Sequence, residues 1–260
     1  MSILDAVLLG LVQGLTEFLP VSSSGHLAIL EHVWRLPEAQ RLPLTTMLHL
    51  GTAAAMLVFF GRRLAGIIAG CFASQPEARV PSRRMVGYIV LGSVPAALVG
   101  LLLEDRIAAA FSSPALVGAM LVVTGAALFG TRFVRAEERR LGWGRALAVG
   151  IAQAVAILPG ISRSGATIAA GLYMGVGREE SFEFSFLLAI PAIVAAALLE
   201  LRKASLSHLN PASVGLGMMV ALIAGLAALV LLRRAVTGRK LYRFAFYCWL
   251  AGILSLAFVR

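Results

Sequence analysis

The chain has 260 residues, of which 59% are hydrophobic and only 14% charged, with a mean hydropathy of +0.88 and a formal charge of +10. Soluble domains carry about 25% charged residues, so this composition excludes an ordinary soluble domain and points to an integral membrane protein. The positive excess would suit a nucleic-acid surface, but the basic residues stand in short clusters beside apolar runs, the pattern of membrane anchoring on anionic lipid.

Met1–Ser2–Ile3–Leu4–Asp5 has no basic region and no small-residue cleavage site, which predicts no cleaved signal peptide. A helix is predicted over 4–18, with Gln13 and Glu17 four apart on one face. Pro20 ends it at or before Leu19. Pro20–Val21–Ser22–Ser23–Ser24–Gly25–His26 follows, polar and turn-forming, with a helix restarting near Gly25. Six apolar runs come at 45–60, 86–103, 113–131, 182–199, 213–232 and 242–259. Each is close to the ~20 residues that span a bilayer at about 1.5 Å per residue. Between the third and fourth lies a second interruption, Pro159–Gly160–Ile161–Ser162–Arg163–Ser164–Gly165–Ala166–Thr167, with a helix expected after Gly165. Cys71 and Cys248 are far apart and imply neither a disulfide framework nor a metal site.

If the six runs cross the membrane while 3–34 and 146–173 dip in and return, the loops 61–85, 132–145, 175–181 and 233–241 share one side. That side holds fifteen Lys and Arg residues against six on the other, which places it in the cytoplasm and both termini outside. The two interruptions also resemble each other. At an offset of 140, Gly10 meets Gly150, Gln13 meets Gln153, Ser22 meets Ser162, Ser24 meets Ser164 and Gly25 meets Gly165. The expected architecture is therefore an all-α polytopic bundle of two inverted-topology repeats, 1–131 and 141–260, with six full spans and two re-entrant helix-loop-helix pairs. Irregular backbone is tolerated at membrane depth only where protein or a wet cavity covers it, so the two loops should face each other.

An intramembrane carboxylate or arginine is expensive unless paired and wet. Glu17 and Arg163 are such residues, and they read either as a pair that locks the halves together or as parts of a site. Arg163 offers a planar fork of donors suited to phosphate oxygens. The hydroxyls of Ser22, Ser23, Ser24, Ser162, Ser164 and Thr167 and the helix starts at Gly25 and Gly165 suit phosphate too, or serve only as caps. With His26 for proton transfer, this is a kit for moving a phosphoryl group. A transporter or flippase of an anion could use the same residues. His49 and the aromatics Tyr242, Tyr247 and Trp249 read as packing residues.

Gln13–x3–Glu17, Pro20–Val21–Ser22–Ser23–Ser24–Gly25–His26 and Pro159–Gly160–Ile161–Ser162–Arg163–Ser164–Gly165 resemble the motifs of the undecaprenyl pyrophosphate phosphatase, or BacA, family over nearly the whole chain. The resemblance implies an enzyme of the bacterial inner membrane with its site facing the periplasm. It would hydrolyse the C55 isoprenyl pyrophosphate to undecaprenyl phosphate, recycling the carrier for cell-wall synthesis and giving resistance to bacitracin, which acts by sequestering the substrate. It implies a divalent cation, Mg2+ or Ca2+, held by Glu17 and Gln13 with the substrate phosphates. Glu17, Ser23, His26 and Arg163 are then the catalytic residues, and Gln13, Ser22, Ser24, Gly25, Ser162, Ser164, Gly165 and Thr167 contact phosphate. Many relatives have glutamate at the position of Gln13. Whether Ser23 or His26 attacks stays open, as does a homodimer. The substrate's tail cannot leave the bilayer cheaply, at about 0.8 kcal/mol per CH2, so the site should open sideways to lipid.

Overall fold

A computed structural model describes residues 3–23, 25–27, 38–111, 113–135, 139–203 and 210–258. Its helices are α1 (Ile3–Phe18), α2 (Glu38–Cys71), α3 (Pro76–Leu102), α4 (Glu104–Phe111), α5 (Pro114–Gly130), α6 (Trp143–Val155), α7 (Arg163–Tyr173), α8 (Arg178–Lys203), α9 (Pro211–Thr237) and α10 (Phe244–Phe258), with 3-10 turns at Thr131–Phe133 and Leu241–Arg243. Among the described residues the only extended pairing is a single bridge between Arg139 and Val176. The regular structure among the described residues is all helical.

Each of the six apolar runs lies in a helix: α2, α3, α5, α8, α9, and the Leu241 turn with α10. Four described stretches, Pro43–Cys71, Pro76–Leu102, Pro114–Phe133 and Pro211–Thr237, are long and apolar enough to cross a membrane; Leu241–Ala257 is a shorter apolar helix. The starts follow local chemistry. α3, α5 and α9 each open with proline, whose missing N–H would have no intrahelical partner there. Ser113 Oγ caps α5 through Leu116 N, and Asn210 Oδ1 caps α9 through Ala212 N and Ser213 N. α3 keeps Val86, Val90, Val94, Leu98 and Leu101 exposed, an apolar surface suited to lipid rather than water.

The helices that lead into the two loops pack along distant partners: α1 along α9, and α6 along α3. Glycines allow the approach. A Cβ on Gly10 would sit 2.4 Å from the Gly217 carbonyl oxygen, one on Gly14 2.6 Å from that of Ala221, and one on Gly150 2.3 Å from that of Gly92. α5 and α10 also meet through glycines: a Cβ on Gly118 would sit 2.9 Å from the Gly252 carbonyl oxygen, and one on Gly252 2.7 Å from that of Gly118. Small residues that bring backbones together are how helices associate in lipid, where burial against a neighbour offers little hydrophobic gain. Phe18, Phe60, Phe182 and Phe186 fill the space among α1, α2 and α8, with ring centroids 5.0–5.8 Å apart.

The four basic loops meet at one end of the bundle. Arg63 pairs with Glu183, Arg233 with Glu179 at 2.7 Å, and Arg178 donates to the Val134 carbonyl at 3.3 Å. Arg139 N–H donates to the Gly175 carbonyl at 2.9 Å, and Arg132 lies over the Tyr242 ring.

Candidate active site

α1 carries Gln13 and Glu17 on one face and stops at Phe18, one residue earlier than the limit set by Pro20. Leu19–Val21 turn the chain, and Ser22 takes a backbone φ of 67°, a left-handed conformation that a serine adopts only under constraint. That turn aims the Ser22 carbonyl at His26, where it accepts from the backbone N–H at 3.3 Å and faces Nδ1 at 2.8 Å. A carbonyl only accepts, so Nδ1 carries the hydrogen and Nε2 is left facing the Tyr247 hydroxyl at 2.6 Å. The two rings stack with centroids 5.6 Å apart. Ser23, helical again, donates its hydroxyl to Glu17 Oε2 at 2.6 Å. Ser24 lies outside the described residues.

The second loop is built differently. Gly160 has φ of 91°, and a Cβ there would lie 2.3 Å from the Val117 carbonyl oxygen, so no other residue fits without a shift. Thr124 of α5 pins the loop: its hydroxyl donates to the Gly160 carbonyl at 3.0 Å and accepts from Ser162 N at 3.2 Å. Ser162 Oγ accepts from Gly165 N and lies 3.2 Å from Ser164 Oγ. The helix therefore begins at Arg163, three residues before the start expected after Gly165, because Ser162 rather than the glycine is its cap. Thr167 donates to the Arg163 carbonyl at 2.7 Å and meets the Ser185 hydroxyl. Ser162, Ser164 and Thr167 are all buried. Their hydroxyls are engaged within the loop and with α8, which makes them the frame that holds Arg163.

The two loops come together. A Cβ on Gly165 would lie 3.1 Å from the Pro20 Cβ, and Val117 of α5 sits 3.2 Å from where a Gly25 Cβ would be. Arg163 Nη2 donates to Glu17 Oε1 at 2.6 Å, with the side chains 18% and 8% exposed. Glu17 Oε2 also accepts from Gln13 Nε2 at 3.2 Å. Gln13 donates in addition to Thr52 Oγ1 at 3.4 Å, and Thr52 gives its own hydrogen to the His49 carbonyl at 2.9 Å, which fixes the amide's orientation. Around Glu17, two buried side-chain atoms have no partner among the described residues: Arg163 Nη1, a donor, and Gln13 Oε1, an acceptor. Buried polar atoms rarely go unpaired in the working protein. One donor and one acceptor beside a carboxylate are complementary to a phosphate oxygen and a cation.

Two residues read from sequence as packing belong here. His49 donates from Nδ1 to the Thr45 carbonyl at 2.8 Å and places Nε2 3.8 Å from Glu17 Oε2. Tyr247 meets His26 from α10, 221 positions along the chain. The only sequence signal for His49 is a histidine between two threonines inside an apolar run, and Tyr247 has none. Gln153, the offset partner of Gln13, is buried with neither amide atom bonded among the described residues, and the offset partner of Glu17 is Ile157. Only the first loop has a carboxylate.

A family model described as bacitracin resistance protein BacA matches residues 6–254. A protein of Desulfatibacillum aliphaticivorans named undecaprenyl-diphosphatase is 44% identical over 265 residues, covering 96% of each chain. One of the same name from Syntrophotalea carbinolica is 44% identical over 258 residues, covering 97% of each, and one from Korarchaeum cryptofilum is 40% identical, covering 99% of each. A match over nearly the full length, together with relatives this similar across their whole chains, means that the chain belongs to the BacA family of bacitracin resistance proteins.

Proposed function

We infer that the chain hydrolyses undecaprenyl pyrophosphate to undecaprenyl phosphate and inorganic phosphate, recycling the lipid carrier of cell-wall synthesis. The observation that carries this reading is the Ser23 hydroxyl on a Glu17 carboxylate oxygen at 2.6 Å, with the other oxygen held by Arg163. A serine is a weak nucleophile until a base takes its proton, and Glu17 is in place to do so.

The chemistry proceeds in two displacements. Ser23 Oγ attacks the terminal phosphorus as its proton passes to Glu17 Oε2. The bridging oxygen leaves with its electron pair on undecaprenyl phosphate, which is stable as an anion and needs no acid. Arg163, with its free Nη1–H, faces the negative charge that grows on the equatorial oxygens. Water then attacks the phosphoseryl phosphorus and gives a proton to His26 Nε2. Glu17 returns its proton to Ser23 Oγ, and His26 releases its own to the phosphate product. The alternative, attack by His26, is favoured by one feature, the lone pair that the Nδ1–Ser22 contact leaves on Nε2.

The unpartnered Gln13 Oε1 and the adjacent Glu17 fit a divalent cation of the Mg2+ or Ca2+ class. Among the described residues no group of three His, Cys, Asp or Glu side chains could hold it unaided, so substrate phosphates would complete its shell. Bound there, the ion supplies positive charge to the pyrophosphate. In the phosphate cradle Ser22 and Gly25 belong to the first loop, while Ser162, Ser164, Gly165 and Thr167 frame the second; Ser24 lies outside the described residues.

Several features support two inverted repeats, 1–131 and 141–260, with re-entrant pairs at 146–173 and at 3–34, of which 24 and 28–34 lie outside the described residues. α1 on α9 and α6 on α3 are reciprocal pairings, and Gly10 and Gly150 serve them at the same offset. The shared end of the basic loops supports a cytoplasmic face there, and hence a periplasmic site in the inner membrane. For the tail, an apolar groove of about 600 Å³ is lined by Leu98 and Val99 of α3, Ile151 and Val155 of α6, and Ile157 and Leu158 just before the second loop. Long isoprenoid chain would lie there, open to lipid.

The test is rapid quenching of purified protein with substrate radiolabelled in its terminal phosphate. Acid-stable label on the peptide containing Ser23, followed by release of phosphate, is expected. Acid-labile label would assign the attack to His26. Absence of both labelled protein and released phosphate would overturn the enzyme reading.

A further inference from the structure

We infer that Tyr247 is a positioning residue for His26, setting its tautomer and ring plane for the second displacement; this rests on the phosphatase reading above. Three contacts lock the imidazole. Nδ1–H is held by the Ser22 carbonyl at 2.8 Å, Nε2 meets the Tyr247 hydroxyl at 2.6 Å, and the phenol ring stacks on the imidazole with 13° between the planes. The first contact requires Ser22 to stand at a left-handed φ of 67°, so the loop holds a strained residue in order to present its carbonyl. The second requires a hydroxyl hydrogen to point at Nε2, which selects the tautomer whose lone pair is there.

α10 is anchored to the same loop one residue further on. Cys248 Sγ donates to the Pro20 carbonyl at 3.2 Å, so Tyr247 and Cys248 together hold both ends of the turn that carries Ser22 and Ser23. Glu17, in contrast, makes its contacts with Ser23, Gln13, Arg163 and His49. The two bases are thereby served separately: α2 and α7 brace the carboxylate, and α10 braces the imidazole. During the second displacement the hydroxyl yields its place at Nε2 to the attacking water, while the stacked ring keeps the imidazole in plane. The ring therefore matters more than the hydroxyl.

The experiment is a double-mutant cycle on turnover by the purified full chain, with undecaprenyl pyrophosphate as substrate. Tyr247→Leu should lower kcat at least tenfold with KM within twofold, and Tyr247→Phe, which keeps the ring, should recover most of the loss. In a His26→Ala background, read at its residual rate, Tyr247→Leu should change kcat by less than twofold, because nothing is left to position. A Tyr247→Leu enzyme that turns over like wild type overturns the inference. So does the same loss in both backgrounds, which would make Tyr247 a plain packing residue. Absence of turnover in the wild type would instead fail the phosphatase reading.

Discussion

Glu17 and Arg163 form the most buried ion pair among the described residues. Removing one partner of a buried pair leaves the other charge uncompensated, at about 3–5 kcal/mol. Their individual roles are therefore best read in shape-preserving variants. Glu17→Gln keeps the volume and can still meet Arg163 through its carbonyl, but it cannot take a proton from Ser23. The expected outcome is a folded protein whose kcat falls about 10²–10⁴-fold, the range of a lost general base. Circular dichroism and kcat measured on one preparation check it. Ser22 allows a separate test of strain. Ser22→Gly removes the penalty of φ 67° and should keep or raise the melting temperature, whereas β-branched Ser22→Val should lose about 1–3 kcal/mol. Equal melting temperatures for the two variants would mean that the turn is not strained.

At the scale of the elements, the contact of α1 with α9 and of α6 with α3 depends on the absence of side chains. Gly10→Val or Gly150→Val would force a Cβ to within about 2.5 Å of a carbonyl oxygen, and such overpacking costs about 1–3 kcal/mol. Thermal unfolding should show both variants destabilised. Gly61→Ala, with open space around it, should be neutral or gain up to about 1 kcal/mol from helix propensity. The groove beside α6 carries a substrate prediction. Ile151→Trp should raise KM for the C55 substrate several-fold and leave a short-chain isoprenyl pyrophosphate nearly unaffected. Equal effects on both substrates would move the tail elsewhere.

At the scale of the whole molecule, the proposed orientation puts Gly238 at the cytoplasmic end of α9 and Asn210 at the outer end. In a Cys71→Ser chain, Cys248 being buried, Gly238→Cys should react with an impermeant thiol reagent only from the cytoplasmic side, and Asn210→Cys only from the outside. The reverse pattern would invert the site's orientation. The helices and the two charged residues at the site were legible in the sequence. Long apolar runs mark helices wherever they occur, and Glu17 and Arg163 stand out because charge is rare in such runs. The start of α7 was missed because both Ser162 and Gly165 suit a helix start, and only the Ser162–Gly165 N contact decides between them. His49 and Tyr247 were missed for a deeper reason. Each acts through a neighbour 32 or 221 positions away, and local pattern carries no record of such proximity. The same is true of the division between the two bases, which follows from where α2 and α10 pack.

The central claim, that a Glu17–Ser23–Arg163 site hydrolyses a lipid pyrophosphate, is tested most directly by phosphate release in detergent, where no gradient exists to drive transport. Wild type, Glu17→Gln and Arg163→Lys would be compared with Mg2+ or Ca2+ and with chelator. The expected result is steady release by wild type, at least a hundredfold loss in both folded variants, and loss on chelation. Wild-type rates in Glu17→Gln, or no release from folded wild type supplied with lipid, would contradict the account.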